Sequence, residues 1–346
     1  MDPGFARGMT NHMMNDWTPL ADLIETHDRF LVTTHVRPDG DALGSEVGMA
    51  GLLRQKGKDV RVVNSSPTPP RYDFLDPDGK LFGHFNHGVG PKDLADREVA
   101  VILDLSAWNQ LGDMAGFIRE FRGPRVVIDH HVSQDDLGAV FLKDTTAEAT
   151  GTLVLQAFRS LGATVTPEAA TGLLTAIAMD TGWFRHSNTR AGTMRAAAEL
   201  IDAGASADAI YRQLFERNTL GRLRLIGEAL SNLEVELDGR LAYAAVGLDD
   251  LKRTGAIPPD TEDLVDYTVS LRGVEVGLLF IEQARGGVKA SFRTRTDVDC
   301  ARLAAQFGGG GHRAAAGATI PGTMSEVVDR VVVAVRQALD PGRPGG

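Results

Sequence analysis

The stretch Pro124-Arg-Val-Val-Ile-Asp-His-His131 is the clearest indication of the fold of this chain. Its apolar run, residues 126–128, is typical of a strand that is buried on both faces, as in a parallel sheet. The run ends in three polar side chains that are able to bind metal, Asp129, His130 and His131. In an open parallel sheet, ligands bind beyond the carboxyl ends of the strands. The stretch therefore predicts both a parallel α/β sheet and a site at its edge.

A short β-branched run, residues 30–34, and a second apolar run, residues 99–103, are followed by side chains of the same kinds. Those side chains are His35, Asp39, Asp41 and Asp104. Adjacent strand ends would bring them within several ångströms of the triplet that follows residue 128. A fourth element, the apolar helix predicted over residues 167–178, places Asp180 at its end. The sequence thus predicts one cluster of carboxylates and imidazoles, assembled from four separate segments.

The spacing of apolar residues predicts the elements around this cluster. A helix over residues 42–56 and a strand over 59–63 complete a βαβ unit with residues 30–34, and 112–121 is a crossover helix. Residues 67–90 are rich in Pro and Gly and predict a loop with one short helix. Thr145 and Glu148 have the spacing of a capping box at the start of a helix. Further helices are predicted over 20–27, 146–161 and 189–203.

A length of 346 residues indicates two domains, since single cores stop growing beyond about 250–300 residues. We predict an α/β fold: an N-terminal doubly wound parallel sheet, joined by a helix to a smaller C-terminal α/β domain, with the active site in the cleft between them. The predicted bounds are 15–205, 206–230 for the helical linker, and 231–340. The C-terminal domain has predicted strands at 241–246, 274–281 and 288–292 and helices at 261–270, 300–307 and 324–339. Residues 1–8 have no periodicity and are left out of the fold.

Composition predicts a soluble globular protein, with 43% hydrophobic and 24% charged residues. No apolar run approaches the roughly 20 residues that cross a bilayer, and the start lacks a signal-peptide pattern. We therefore expect a cytoplasmic protein without membrane contact. The single cysteine, Cys300, excludes an intramolecular disulfide, and we expect it to be a small buried hydrophobe. A net charge of −10 argues against binding long nucleic acid non-specifically, which requires many phosphates to be neutralised.

The carboxylate cluster predicts bound metal. So many carboxylates at close range repel each other unless cations neutralise them. Oxygen ligands favour Mn²⁺ or Mg²⁺ over Zn²⁺, and the imidazoles favour Mn²⁺ of the two. Two ions about 3.5–4 Å apart, bridged by one carboxylate, would activate water and clamp a phosphoryl group. The alternative is that each acid at a strand end only caps a helix.

Two other segments predict an anion site. Gly308-Gly-Gly-Gly311-His312-Arg313 lets the backbone approach a phosphate, and its successive N–H groups can form a nest. A flexible linker would have the same glycines. The nearby segment Ser291-Phe-Arg293 adds a cation. In Asp180-Thr-Gly-Trp-Phe-Arg185-His186, Arg185 could hold a phosphate, and Trp183 and Phe184 either stack on a base or fill the core.

These motifs resemble a known family. His35-x3-Asp39-x-Asp41, Asp104, Asp129-His130-His131 and Asp180 are similar to the four motifs of the DHH phosphoesterase superfamily. The Gly308–His312 run with Ser291-x-Arg293 resembles its DHH-associated C-terminal domain, so the likeness spans residues 17–339. Among members, the two-domain form without sensor or membrane segments is similar to the nano-RNase/pAp phosphatases. One departure is Thr294, where relatives often carry serine; the hydroxyl is retained.

The resemblance implies a role for each motif residue. His35 and Asp39 would hold one Mn²⁺, and Asp41, His130 and Asp180 the other, with Asp104 bridging the two ions. Mg²⁺ or Co²⁺ are the expected substitutes. With Asp104, the expected catalytic residues are His131, at the scissile phosphate or leaving group, and Asp129, which either lies at the edge of the first metal or orients a ligand. The expected substrate-binding residues are Arg185, Ser291, Arg293, Gly309, Gly310, Gly311 and His312.

The resulting hypothesis is a homodimeric, Mn²⁺-dependent phosphoesterase that hydrolyses short oligoribonucleotides, such as pApA, to mononucleotides. It would also convert 3′-phosphoadenosine 5′-phosphate (pAp) to AMP. The alternatives are a cyclic di-AMP phosphodiesterase, a manganese inorganic pyrophosphatase and a nucleotide-binding regulator without catalysis. A pyrophosphatase should carry a clamp rich in lysine and arginine in place of the glycine run. The complete set of expected ligands argues against the regulator.

Overall fold

The computed structural model describes residues 16–132, 134–311 and 313–340 and divides into two compact units. Unit 1 ends at Glu216 and unit 2 begins at Arg217. Across the described ranges, no helix is both long enough and apolar enough to cross a membrane. The segment 206–230, predicted as one helical linker, forms two helices, α7 (Ala207–Phe215) and α8 (Leu220–Ser231), with the unit boundary between them.

Unit 1 is built on a sheet that, within the described residues, has six strands in the order β3-β2-β1-β4-β5-β6. All of its neighbouring strands pair in parallel. The strands are β1 (Arg29–Thr33), β2 (Asp59–Asn64), β3 (Phe82–His84), β4 (Val99–Leu103), β5 (Arg125–Asp129) and β6 (Val140–Lys143). The doubly wound parallel sheet is confirmed. The loop predicted over 67–90 is corrected, since it contains β3, and β6 was not predicted either.

The central strands are buried on both faces, as their apolar runs predict. Successive side chains point to opposite faces of a strand. On β1, Phe30 and Val32 therefore pack into one core while Leu31 packs into the other. On β4, Val101 packs into the first of these cores and Ile102 into the second. Helices cover both faces, because α2 (Gly40–Gln55) packs in the first core and α3 (Met114–Glu120) in the second.

The helices of unit 1 largely follow the predicted ranges. They are α1 (Thr18–Thr26), α2 (Gly40–Gln55), α3 (Met114–Glu120), α4 (Thr150–Ser160), α5 (Pro167–Asp180), α6 (Ala191–Asp202) and α7. The predicted capping box at Thr145 is wrong. Helix α4 begins later, after Ala149, which makes no side-chain cap, and Thr146 instead bonds to Asp144.

Helices α2 and α5 pack unusually closely because glycines face each other. A Cβ added at Gly44 would lie 2.2 Å from the carbonyl oxygen of Gly172, and one at Gly40 would lie 2.4 Å from Cγ of Met179. The start of α2 therefore lies against the end of α5. This packing brings Asp41, in the first turn of α2, to the same place as Asp180, the last residue of α5.

Unit 2 has its own sheet, with the order β11-β12-β10-β9-β8-β7 among the described residues. Its strands are β7 (Glu234–Glu236), β8 (Leu241–Val246), β9 (Val276–Glu282), β10 (Val288–Thr294), β11 (Gly310–Gly311) and β12 (Ala315–Ile320). Its helices are α8, α9 (Leu248–Thr254), α10 (Val265–Ser270), α11 (Cys300–Ala305) and α12 (Met324–Leu339). The pairing of β8 with β9 is parallel and the others are antiparallel. Cys300 is fully buried, as predicted.

Candidate metal centre

The first half of the candidate site lies where β1 and β4 end side by side. These are the two central strands, at which the strand order of the sheet reverses. The connections leave such a pair in opposite directions and open a crevice between the strand ends. His35 follows β1 and Asp104 follows β4, and His35 Nε2 lies 3.5 Å from Asp104 Oδ2. Asp104 adopts a left-handed backbone conformation, with φ of 59°, as the chain turns sharply out of the strand.

The second half is centred on His130. Its Nε2 lies 3.7 Å from Asp41 Oδ2 and 3.6 Å from Asp180 Oδ2. The same nitrogen is 3.6 Å from Asp104 Oδ1, so His130 joins the two halves. His131 also reaches Asp104, with 3.7 Å between its Nδ1 and Oδ1 of the carboxylate. The contact of α2 with α5 and the end of β5 thus bring Asp41, Asp180 and His130 together.

Among the described residues, three groups bring ligand atoms within 4.8 Å of one another. The groups are His35, Asp39 and Asp104; Asp41, His130 and Asp180; and Asp104, His130 and His131. The donors are carboxylate oxygens and imidazole nitrogens, the set that suits Mn²⁺ and related divalent ions. Asp104 occurs in the first and third groups, so two of the three groups share it. The residues present therefore fit the binding of divalent metal.

The buried carboxylates of the site repel one another, and a bound cation would relieve that repulsion. Burial raises the pKa of Asp41 well above its usual value, and the carboxylate of Asp104 raises it further. Burial also raises the pKa of Asp104 well above its usual value, and the carboxylate of Asp39 raises it further. Burial and Asp41 raise the pKa of Asp180 to about 7. Because like charges in a buried site disfavour ionisation, a divalent ion would be the natural counter-charge.

Backbone carbonyl groups set the tautomers of the two imidazoles. His35 Nδ1 lies 2.9 Å from the carbonyl oxygen of Val36, and His130 Nδ1 lies 3.2 Å from that of Ala147. A carbonyl oxygen only accepts, so in each ring Nδ1 carries the hydrogen. In the neutral form of each ring the lone pair is then on Nε2, the nitrogen that faces the carboxylates. This arrangement orients an imidazole for metal binding.

Two parts of the chain match known protein families. Residues 29–177 match the DHH family, N-terminal domain, and residues 238–340 match the DHHA1 domain. Over 314 residues, 89% of each chain, the sequence is 32% identical to the bifunctional oligoribonuclease and PAP phosphatase NrnA of Thermus thermophilus. The chain belongs to the DHH family.

Two further likenesses extend over most of the chain. The bifunctional oligoribonuclease and PAP phosphatase NrnA of Bacillus subtilis is 26% identical over 307 residues, which are 88% of this chain and 93% of that one. The crystal structure of an exopolyphosphatase-related protein from Bacteroides fragilis has a TM-score of 0.86 at 26% identity, covering 94% of this chain and 95% of the other. These findings confirm the predicted resemblance and the α/β fold.

The DHH-domain carboxylates are held by groups that the sequence did not point to. Asp41 accepts from the backbone N–H groups of Thr150 and Gly151, at 2.7 and 2.9 Å, and from the hydroxyl of Ser45. The N-terminus of α4 is therefore capped by a carboxylate from another helix. Thr150 also donates its hydroxyl to Asp104 Oδ1, at 2.9 Å. No local pattern signals the contacts of Thr150, because this residue is 109 positions from Asp41 in the chain.

The first residue of the DHH triplet, Asp129, is fully occupied by hydrogen bonds. Its Oδ1 accepts from His131, at 3.1 Å from the backbone nitrogen and 2.7 Å from Nδ1. Its Oδ2 accepts from Ser106 and pairs with Lys143, 3.1 Å away. Burial alone would raise the pKa of Asp129, but the bonds from His131 and Ser106 hold it well below its usual value. Asp129 is absent from the three ligand groups, and its contacts favour the role of orienting His131. The contacts of Ser106 and Lys143 with Asp129 were not predicted from the sequence.

The segment after Asp180 resolves one alternative. Gly182, Trp183 and Phe184 have successive left-handed φ values of 56°, 59° and 62°. The rings of Trp183 and Phe184 pack against the core of unit 1, and Trp183 stacks edge-on against Tyr211, with 5.1 Å between ring centroids. The structure thus favours their core-filling role. Arg185 is exposed, and its Nε donates to the carbonyl oxygen of Gly182.

The other predicted substrate residues belong to unit 2. Ser291 and Arg293 lie on β10, and Arg293 Nε is 3.1 Å from Asp266 Oδ1. Gly310 and Gly311 form β11, the edge strand paired to β12, and Gly309 packs so closely that a Cβ there would lie 2.2 Å from the carbonyl oxygen of Gly317. His312 lies outside the described residues, and the substrate-binding roles of the whole set stay predictions.

We expect the Mn²⁺ affinity of this DHH protein to rise by about tenfold or more for each pH unit between about pH 6 and 8. Burial disfavours the charged form of His130, but the carboxylates of Asp41, Asp104 and Asp180 outweigh burial and raise its pKa to about 9. Below that pH a metal must displace the His130 proton, so protons compete and affinity increases as pH rises. Isothermal titration calorimetry in buffers of different ionisation enthalpy would measure affinity and proton release together. An affinity that is constant over this range would contradict the assignment of His130 as a ligand.

Proposed function

We propose that this chain is a metal-dependent phosphoesterase that hydrolyses short oligoribonucleotides to mononucleotides and pAp to AMP. The observation that carries the proposal is the set of three ligand groups joined through Asp104 and His130. The relatives named as oligoribonucleases and PAP phosphatases, similar over nearly the whole length, support the substrate class. Hydrolysis of phosphoester bonds is the chemistry to which such a site is suited.

The metal ligands are assigned as follows. His35 and Asp39 would hold one divalent ion, Asp41, His130 and Asp180 the other, and Asp104 both. We infer Mn²⁺ from the mixed oxygen and imidazole donors, with Mg²⁺ or Co²⁺ as substitutes. When bound, such a pair lowers the pKa of water and polarises phosphoryl oxygens.

The residues of the triplet that do not bind metal in this assignment act on the substrate. Asp129 accepts from Nδ1 of His131, so it fixes the plane and the tautomer of that ring. The opposite nitrogen, Nε2, would then face the phosphoester, and the imidazolium form of the ring would donate its Nε2 proton to the leaving oxygen and become the neutral imidazole. Arg185, Ser291, Arg293, the backbone of Gly309, Gly310 and Gly311, and His312 would bind substrate phosphates. The homodimer and the cytoplasmic location stay predictions from the sequence.

One comparison of substrates tests the function. In Mn²⁺ buffer, kcat/KM for pApA and for pAp should exceed that for pyrophosphate by at least about tenfold, and longer oligoribonucleotides should be poorer than pApA. Steady-state assays of released AMP and phosphate would measure this, with cyclic di-AMP in the same series. If pyrophosphate has the highest value, the proposal is wrong. The absence of turnover on every substrate would favour a non-catalytic regulator.

A further inference from the structure

A chain of hydrogen bonds lies behind the metal centre and begins at a residue that the proposed reaction does not use. Glu46 is on α2, and its side chain is completely buried. We propose that Glu46 is a positioning residue: through Asn64 and Thr34, it fixes the ends of β1 and β4 and thereby the distance between His35 and Asp104. The inference rests on the proposed metal site, and it concerns metal binding rather than the choice of substrate.

The contacts run without a break from the helix to the strand ends. Glu46 Oε2 accepts from Asn64 Nδ2 at 2.8 Å. Asn64, the last residue of β2, in turn accepts on Oδ1 from the backbone N–H of Thr34, at 3.1 Å. The hydroxyl of Thr34 donates to the carbonyl oxygen of Leu103 at 2.8 Å. Thr34 and Leu103 are the residues immediately before His35 and Asp104.

The strand ends need such contacts because the sheet ladder stops just short of the ligands. The last paired residues of β1 and β4 are Thr33 and Ile102. Beyond them the two connections diverge to form the crevice, so backbone pairing no longer joins β1 to β4, although the N–H of Asp104 still donates to the carbonyl oxygen of Ile128 on β5, at 3.0 Å. The side chain of Asn64 instead links the end of β1 to β2, and the side chain of Thr34 links the end of β1 to β4. Every member of the network is buried, so water cannot substitute for a lost partner.

Glu46 decides which way the Asn64 amide faces. A carboxamide has one accepting oxygen and one donating nitrogen, and only the oxygen can bind the N–H of Thr34. The carboxyl oxygen of Glu46 holds the nitrogen on the opposite side. If Glu46 were apolar, the amide would lose its buried acceptor and would be free to turn, leaving the Thr34 N–H unpaired. Glu46 therefore acts through Asn64 on the segment that carries His35.

The position is unfavourable for an acid, which argues that the side chain has a role beyond packing. Burial raises the pKa of Glu46 to about 8, against the opposing effects of Asn64 and His35. Its Oε1 has no hydrogen-bond partner within the described part of the chain. The neighbours of Glu46 on α2 are buried, Leu43, Val47 and Met49 among them, so an apolar residue would suit the surroundings. A neutral carboxyl still accepts from Asn64, so the network does not require the charge.

The test is direct measurement of Mn²⁺ affinity on metal-free full-length protein, without substrate. We expect Glu46→Leu to weaken Mn²⁺ binding by about 10- to 100-fold, as is usual when a group that orients metal ligands is removed. Glu46→Gln, which keeps an accepting oxygen of the same shape, is the matched control and should stay within about threefold of wild type. Thr34→Val, a smaller change at the other end of the network, should weaken binding as well. Calorimetric titration and the electron paramagnetic resonance of free Mn²⁺ would measure each constant, and circular dichroism would check the fold.

Each outcome decides the inference. If folded Glu46→Leu, or Thr34→Val where the leucine variant does not fold, binds Mn²⁺ as tightly as wild type, the inference is overturned. It is also overturned if Glu46→Gln is as weak as Glu46→Leu, because the hydrogen bond would then not be the operative contact. A wild-type protein that binds Mn²⁺ but does not cleave pApA or pAp would refute the proposed function alone. A wild-type protein that binds no Mn²⁺ would refute both.

Discussion

Replacing Asp104 by asparagine is expected to lower Mn²⁺-dependent hydrolysis of pApA by about 10³-fold or more and, at the same time, to stabilise the metal-free protein. Asp104 belongs to two of the three ligand groups found among the described residues. An amide oxygen binds divalent ions far more weakly than a carboxylate, so the variant would lose the ligand that serves both ions. The hydroxyl of Thr150 can still donate to the amide oxygen, so the local structure is retained.

The gain in stability follows from the charge of the metal-free site. Burial, with the neighbouring Asp39, raises the pKa of Asp104 well above its usual value. The folded state therefore holds the Asp104 proton more tightly than the unfolded state, and this contribution to stability is lost as pH rises through the raised pKa. Asparagine never ionises, so its advantage over wild type should grow with pH above about 4. Thermal denaturation with and without Mn²⁺, at several pH values, would measure it.

The control for this experiment is Asp78→Asn, which removes a carboxylate from an exposed position whose salt-bridge partner, Lys80, is 3.8 Å away. It should leave hydrolysis, Mn²⁺ affinity and melting temperature close to wild type. Wild-type turnover by Asp104→Asn would show that Asp104 does not bridge the metals. A melting temperature that falls in the absence of metal would contradict the electrostatic argument.

Gly44→Ala is expected to destabilise unit 1 by about 3 kcal/mol or more, although it adds a single methyl group. The new Cβ would lie 2.2 Å from the carbonyl oxygen of Gly172 and 2.9 Å from the backbone nitrogen of Ala176. Both are main-chain atoms, so no side chain can move aside and the helices themselves must separate. Separation moves Asp41 away from Asp180, so Mn²⁺ affinity should fall as well. Urea denaturation and Mn²⁺ titration of the same preparations would measure the two effects.

A matched glycine in the same unit provides the control. Gly116 lies inside α3, is exposed, and a Cβ there would meet no described atom within 4 Å. Gly116→Ala should therefore stabilise the protein by up to about 1 kcal/mol, the usual difference between glycine and alanine in a helix. If Gly44→Ala were as stable as wild type, the close packing of α2 on α5 would not be what sets the position of Asp41.

Sequence patterns predicted the elements whose signals are local. The central residues of β1, β4 and β5 (30–32, 99–103 and 126–128) are apolar, and polar candidate ligands follow each of these runs closely. A strand that is buried on both faces requires such a run, so its position can be read without knowing its neighbours. Strands β3 and β6 were missed because edge strands are short and need not be apolar. In β6, Val140 is exposed, Phe141 and Lys143 are partly buried, and Leu142 is the one buried residue.

Sequence patterns were enough to predict the doubly wound sheet, the candidate ligands that follow its strands and, through the spacing of the motifs, the resemblance to the DHH family. The contacts that hold the candidate site could be found only in the packed chain: Asp41 caps α4, Ser106 and Lys143 hold Asp129, and Glu46 is a buried acid on a helix rather than a solvated one. The two kinds of feature differ in their separation along the chain. A hydrophobic run and the polar residue after it are adjacent in the chain, whereas hydrogen-bond partners such as Asp41 and Thr150 meet only after the helices and strands between them have packed.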